Sequence, residues 1–354
     1  MKKDYYSYDV IVVGGGLSGC TAASISAAAG AKTLLITINM DSPAYMQFGN
    51  ILNKERSNCI IGCMKKQGSG IPGIIEDSTL IDIGCPGHEI EGLNNLLIID
   101  RKRFSLKIKE MLESQDDLHT RQGLATDILP QKEGLMMFTS DRLKIYASSL
   151  VLCTGTSLDG RISWGENVTY AGRPGEIHSS RLYKNLLEKG IRFRRAAKKA
   201  APRINGSDVD EKSRNIKPGG DGEIRLYSVE AGINKRRCWL VPEGKETNEM
   251  YVWGFENDLD EEQQLKMLCR IEGLENVYIT RPGYRIEYAC LDYSEKDEGI
   301  DGHGMKGLFP AGRVTGIESY ENSLRQGFLA GINATRAAAG KKILLPEELM
   351  KSYC

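Results

Sequence analysis

The chain opens on an unbroken apolar run, Val10–Val13. The run gives way to Gly14-Gly15-Gly16-Leu17-Ser18-Gly19 and then to an alanine-rich stretch closed by Gly30. A short apolar run bounded by turn residues predicts a buried strand at Asp9–Val13, and Cys20–Ala29 predicts a helix that Gly30 ends at its C′ position. A second apolar run predicts a buried strand at Lys32–Ile38. Strand, helix and strand in that order form a βαβ unit and start a parallel sheet. The periodicity then lapses over residues 40–98, where GSGIPG and CPGHEIEG are loop signals, so an irregular excursion from the sheet is predicted. Asp100–Leu112 has helical spacing of apolar and basic residues. Strands are predicted near Leu135–Thr139 and Leu143–Ala147, and SSLVLCTGTSLDG at 148–160 predicts a further buried strand ending in a glycine turn.

Beyond residue 160 the pattern changes. Ser180–Lys189 and Glu261–Cys269 predict helices, Cys238–Val241 and Met250–Phe255 predict strands, and Arg192–Lys217 is basic and loop-like. RPGYRIEY (281–288) predicts a turn and strand. GLFPAG (307–312) predicts a strand returning to the first sheet, and Glu321–Ala339 the last long helix. The fold class that follows is α/β: a Rossmann-like, glutathione-reductase-like domain over 1–160 and 281–354, with an α+β domain inserted over 161–280.

Composition narrows the partners. Lys+Arg and Asp+Glu both number 47 among 354 residues, so any nucleic-acid surface must be a local patch. No stretch of about 20 apolar residues predicts a membrane span. Met1–Asp9 is polar and does not read as an export signal, so the nine scattered cysteines are expected to be reduced thiols in a cytoplasmic protein.

The glycine turn fits G-x-G-x-x-G through Gly14, Gly16 and Gly19. Such a turn lets backbone approach a pyrophosphate, and the helix N-terminus at Leu17 and Ser18 offers free N–H groups to it. An acidic residue normally ends the second strand and holds a ribose hydroxyl; here only Asn39 and Asp41 stand near that place. Two further junctions extend the site. Thr154-Gly155-Thr156 follows another strand, and AGRVTGIESYENSLRQG brings Gly312, Asn322 and Ser323 to a late strand–helix turn. Three backbone approaches suit a long flavin dinucleotide better than NAD alone, because helix N–H groups beside a flavin ring stabilise its anionic reduced form.

The blocks YDVIVVGGGLSGCTAA, VLCTGTSLDGRI, AGRPGE, VPEGKETNEMYVWGFENDL, RPGYRIEY and GLFPAGRVTGIESYENSLRQGFLAGINA occur in order from residue 8 to about 340. Together they resemble the FAD-binding part of the tRNA uridine 5-carboxymethylaminomethyl modification enzymes, the large glucose-inhibited division protein A family (MnmG). The folate-dependent tRNA methyltransferase flavoproteins are close relatives. The resemblance implies FAD held by Gly14–Gly19, with contacts near Ala125, Ser179 and Arg313. It implies NAD(P)H as reductant, a one-carbon unit carried to a wobble uridine of tRNA, and a homodimer. Phe48 stands where the family carries a cysteine, and Cys238 lies near a second family cysteine without its flanking pattern. The family's long C-terminal helical domain has no counterpart before Cys354.

The run RFRRAAKKAAPR carries six Lys/Arg and no acid over residues 192–203. It reads as an RNA-binding surface, a folate-glutamate site or a solvated basic face. Cys59, Cys63, Cys85 and His88 are weak candidates for a structural zinc, and unrelated thiols are the competing reading. Arg173, Arg203, Arg281 and Arg285 lie in or beside the resembling blocks and are candidates for the substrate side; no catalytic residue is assigned. The expected function is an FAD-binding oxidoreductase of tRNA or other RNA. The alternatives are a flavin-dependent dehydrogenase of a small metabolite and a non-catalytic FAD-binding module.

Overall fold

The strand Ser7–Val13 runs parallel to Lys144–Leu152, with Val10 beside Ser149 and Val13 beside Leu152. These lie at the middle of a seven-stranded sheet in a computed structural model that describes residues 6–83, 93–210, 215–216, 227–231, 236–292 and 305–353. Thr33–Thr37 pairs in parallel on the other side of Ser7–Val13, and Leu118–Gln122 pairs in parallel beyond it. The strand Leu308–Pro310 returns near the end of the chain and pairs in parallel with Leu150–Leu152. The first half of Lys144–Leu152 instead pairs antiparallel with Leu135–Thr139, which pairs with Ala125–Pro130. One long strand thus replaces the two expected at Leu143–Ala147 and 148–160. The strand runs on through Ser149, whose Oγ donates to the Ala334 carbonyl inside the core at 2.8 Å.

Alternate residues of the central strand serve opposite faces, as the two-residue period of a strand requires. Val10 and Val12 pack with the helices Leu17–Ala28 and Tyr320–Ala338, and Ile11 and Val13 pack with Leu182 and Leu186 of the helix Ser180–Glu188. The first two helices approach closely because small residues face each other. A Cβ added to Gly327 would lie 2.4 Å from the Ser18 carbonyl oxygen, and one added to Gly331 would lie 2.7 Å from that of Ala22.

Within residues 40–98, where CPGHEIEG lies outside the described residues, the described residues from Ile51 onwards are ordered. They form the strand Ile51–Asn53, the helices Lys54–Lys66 and Ile71–Asp77, and the strands Thr79–Ile83 and Leu96–Ile99, which make a three-stranded sheet. The helix Lys54–Lys66 buries Ser57, Ile60, Cys63 and Met64, so its inward face carries a serine and a cysteine and its apolar period is weak. Asn53 caps it by accepting from the Arg56 N–H at 2.9 Å. Gly68 and Gly70 of GSGIPG mark the break between the two helices, with Gly68 at φ 74°.

The inserted part holds two antiparallel sheets. In one, Tyr284–Leu291 lies between Arg161–Trp164 and Phe193–Ala200. In the other, Arg236–Pro242, Glu249–Trp253, Arg203–Asn205 and Ile279–Arg281 pair in that order. Strand pairing therefore groups Tyr284–Leu291 with the insertion. The basic run is also a strand rather than a loop. Its pairing with Tyr284–Leu291 supplies the order that its own alternation does not signal. Among the described residues no helix is long and apolar enough to cross a membrane.

Two substitutions of the same kind separate close helix contact from helix propensity. Gly331→Ala is expected to destabilise by about 1–3 kcal/mol, because the added methyl meets a backbone carbonyl. Gly62→Ala, in the helix Lys54–Lys66 with no atom within 4 Å of the added Cβ, is expected to stabilise by about 0.5–1 kcal/mol. Urea unfolding of both variants checks the opposite signs.

Candidate functional site

The turn after the first strand divides its glycines between two tasks. Gly14 sits at φ 109°, and a Cβ there would lie 2.2 Å from the Cys153 carbonyl oxygen; one on Gly19 would lie 1.8 Å from that of Gly14. Both are required by backbone packing. Gly16 differs, since a Cβ there would meet no protein atom within 4 Å. It is the N-cap of the helix Leu17–Ala28, with no side-chain cap and no acid in the first turn. The first N–H groups of a helix have no intrahelical acceptor, so this end is an open seat for an anion.

The seat lies at the floor of a cleft where the parallel strands end. Thr154–Ser157 follow one strand, Ala311–Arg313 another, and Ile38, Asn39 and Ser42 a third. The loop 41–50 closes over this end and is fastened along its length. The Ala44 N–H donates to the Gly15 carbonyl at 2.8 Å, Ser105 Oγ donates to the Pro43 carbonyl at 2.6 Å, and the Phe48 N–H donates to Tyr320 Oη at 2.9 Å. Ala44 itself is at φ 51°, a left-handed conformation unusual for alanine. The loop thereby presents Tyr45, Gln47 and Phe48 to the cleft. The Arg313 guanidinium stands 4.3 Å from the Phe48 ring centroid. Thr154 Oγ1 and one Arg313 amino nitrogen are buried without a hydrogen-bond partner. A polar planar ligand lying along the cleft would satisfy such groups.

Of the residues expected at a dinucleotide, Gly14, Gly15, Gly16, Leu17, Ser18, Ala125, Thr154, Gly155, Ser179, Gly312, Arg313 and Ser323 line this cleft. Gly19 and Asn322 do not. Gly19 packs beneath the turn, and the Asn322 N–H is taken by its N-cap, Ser319 Oγ, at 3.1 Å. Asp41 is exposed and paired with Lys109 at 3.0 Å. Asn39 faces the cleft and donates to Glu176 Oε1 at 2.9 Å. Glu176, also ion-paired with Arg173, is thus the carboxylate beside the second strand's end. Sequence reasoning missed it because it comes from the AGRPGE block, far along the chain.

A second cavity adjoins the first. It has a volume of about 430 Å³ and is lined by Arg173, Arg203, Arg281, Tyr45, Trp164 and Tyr284 among others. Arg285 does not reach it and pairs with Glu287 at 2.6 Å. Behind the cavity, Arg101 and Arg203 share one carboxylate, Glu243, and all three are at most 4% exposed. The PEG block is shaped by this contact: Glu243 enters between the arginines, and the Lys245 N–H donates to Asp100 Oδ2 at 3.0 Å. In the basic run, Arg195 pairs with Asp159, Lys198 with Glu318 and Lys199 with Asp258, each at 2.9 Å. The run is largely compensated in charge.

Cys153 lines the cleft, but burial pushes its thiol up, which disfavours the nucleophilic thiolate. Cys238 is buried on its strand. Cys63 is disulfide-bonded, which corrects the expectation of a reduced thiol there: a cysteine count cannot report which sulfurs the fold brings together. It also removes Cys63 as a zinc thiolate; Cys59 is exposed, and Cys85, His88 and His303 lie outside the described residues. Among the described residues no group of three His, Cys, Asp or Glu could hold a metal ion. His119 accepts or donates at Tyr8 Oη, 2.9 Å away, and His178 stacks near Tyr170.

Comparison with known proteins adds a lineage to this geometry. The family model for glucose inhibited division protein A matches residues 9–236 and 224–342. A tRNA uridine 5-carboxymethylaminomethyl modification enzyme MnmG from Lactobacillus johnsonii is 30% identical over 405 residues, covering 96% of this chain and 63% of that protein. The enzyme of the same name from Caldicellulosiruptor saccharolyticus is 31% identical over 402 residues with the same coverage. The structure of Aquifex aeolicus GidA superposes with a TM-score of 0.88 at 25% identity, covering 96% of this chain and 65% of that one. The chain spans just under two thirds of the length of these relatives.

The buried triad yields a stability prediction. Glu243→Gln leaves two buried guanidiniums without a counter-charge and is expected to cost about 3–5 kcal/mol. Glu262→Gln, which breaks an exposed pair with Lys266, is expected to cost less than about 0.5 kcal/mol. Denaturant unfolding of the two variants measures the contrast.

Proposed function

The chain belongs to the glucose-inhibited division protein A family, and from that premise we propose that it binds FAD in the strand-end cleft and acts as an FAD-dependent oxidoreductase in tRNA uridine modification. The observation that carries this reading is the open volume over Gly16, where an added Cβ would meet no protein atom within 4 Å. A helix N-terminus without side-chain cap, acid or Cβ faces a cleft whose far wall carries Thr154 Oγ1 and one Arg313 amino nitrogen without hydrogen-bond partners.

Leu17 and Ser18 would direct backbone N–H groups at the pyrophosphate, and Glu176 would accept from a ribose hydroxyl. Gly155, Gly312 and Arg313 would lie along the ring end. FAD bound there would supply hydride and one-carbon redox chemistry that no side chain of the chain provides. The chain's own contribution is placement and exclusion of water. Phe48 and Tyr320 form an apolar wall, and Ser319 opens the helix Tyr320–Ala338 with its positive end towards the cleft. NAD(P)H is the proposed reductant, and a uridine-bearing RNA the proposed substrate.

A second reading, a flavin-dependent dehydrogenase of a small metabolite, is favoured by one feature. Phe48 occupies the cleft position where the resembling family carries a thiol, and Phe cannot form a covalent intermediate. Mass spectrometry of tRNA and rRNA nucleosides from a deletion strain separates the two. A lost or shortened uridine modification supports the RNA reading, and an unchanged profile overturns it.

Flavin binding has its own test. Gly16→Val is expected to abolish the visible flavin absorbance of the purified protein while changing the stability of the flavin-free chain by no more than about 1 kcal/mol. Gly14→Val, whose side chain would collide with the Cys153 carbonyl, is expected to lose the fold itself.

A further inference from the structure

The cavity beside the cleft has an imbalance of charge built into it. Arg101 and Arg203 share Glu243, Arg173 pairs with Glu176, and Arg281 pairs with Glu249 at 3.0 Å. Among the described residues, four guanidiniums therefore face three carboxylates. Two of the four are almost fully buried, where an uncompensated charge is costly. All four converge on one phenol. The Arg101 and Arg173 guanidiniums stand 4.7 and 4.5 Å from the Tyr45 ring centroid, and Arg281 donates to Tyr45 Oη at 3.0 Å. Arg173, Arg203 and Arg281 also line the cavity, whose other walls include the rings of Trp164 and Tyr284.

We propose that this cavity is an oxyanion subsite for the substrate: it binds a carboxylate or phosphate attached to a planar ring, with Arg281 and Arg173 as its donors and Tyr45 Oη at its edge. Guanidinium forks match both oxyanions, and the aromatic walls suit a flat ring beside them. The anion seat at Gly16 is a helix N-terminus without guanidiniums, whereas Arg203, Arg281, Trp164 and Tyr284 line only this cavity; Tyr45 and Arg173 stand where the two spaces meet. It deepens the function proposed above by stating which substrate group faces the cofactor cleft, but the binding itself does not require flavin.

Tyr45 gives the subsite a signature. Burial alone would raise its phenol, but Arg101, Arg203, Arg281 and Arg173 outweigh that and hold it below the ordinary tyrosine range. The neighbouring phenols Tyr284 and Tyr320 are pushed up by burial and stay protonated. A phenolate at Tyr45 supplies the missing negative charge, so it competes with a bound anion. Linkage then requires anion affinity to fall as the pH rises through the Tyr45 titration.

The test is calorimetric titration of the purified full chain with uridine 5′-monophosphate, benzoate and uncharged uridine. Flavin content is measured separately, so that loss of the cofactor reading and loss of this one are told apart. The expected result is binding of uridine 5′-monophosphate or benzoate but not uridine, weakened about tenfold or more in Arg281→Gln. Arg281 is half-exposed at a strand edge, so this variant keeps the fold. Tyr45→Phe is expected to keep the binding and to lose its decline at alkaline pH. Preference for the nucleotide identifies an RNA phosphate as the source of the oxyanion, and preference for benzoate identifies a small carboxylate. The proposal is overturned by no binding of either anion, by equal binding of uridine, or by affinity unchanged in Arg281→Gln.

Discussion

The cleft depends on one close approach of backbone. Gly14 lies under the Cys153 carbonyl, and Gly19 lies under the Gly14 carbonyl. Any Cβ at either place would push apart the two central strands or lift the helix Leu17–Ala28 from the sheet. Because neither residue has one, the helix starts directly at the strand ends, with its unpaired N–H groups aimed into the space between them. The same economy of volume recurs on the helix's other side, where Gly327 and Gly331 admit the late helix Tyr320–Ala338. That helix follows the returning strand Leu308–Pro310, so its N-terminus comes to the same cleft as the first. Two distant strand–glycine–helix junctions thereby serve one site.

The second constraint is electrostatic. Arg101 opens the helix Arg101–Ser114, Arg203 starts a strand of the insertion, and Glu243 directly follows another, Arg236–Pro242. A shared buried carboxylate joins these three parts and holds the cavity wall between them. Such an arrangement is not a cheap source of stability, because desolvating three charges offsets most of their attraction. Its consequence is geometrical: the loop 41–50 is pinned through Arg101 to the Met46 carbonyl at 3.0 Å, which holds Tyr45, Gln47 and Phe48 at the junction of cleft and cavity.

Much of this was legible in the chain. The first βαβ unit, the late long helix and the strand returning at Leu308–Pro310 follow from apolar runs ended by glycine. The resembling blocks led to the family. Other parts were not legible, for identifiable reasons. The helix Lys54–Lys66 turns Ser57 and Cys63 inward, which dilutes the apolar period. The strand Phe193–Ala200 is dense in charge and owes its order to Tyr284–Leu291. Glu176 could not be recognised from spacing, because its partner Asn39 is 137 residues away.

By itself the sequence determined the glycine turn and the lineage, since both are local: a glycine pattern acts within one turn, and the resembling blocks are contiguous. Only the tertiary structure decided that Gly16, of the glycines in the first turn, faces open space, that Cys63 is bonded, and that four arginines from separate parts of the chain meet at Tyr45. Those outcomes depend on which side chains end up within a few ångströms of one another. Distance of that kind is set by the packing of sheet, insertion and loop together, and no stretch of residues carries it alone.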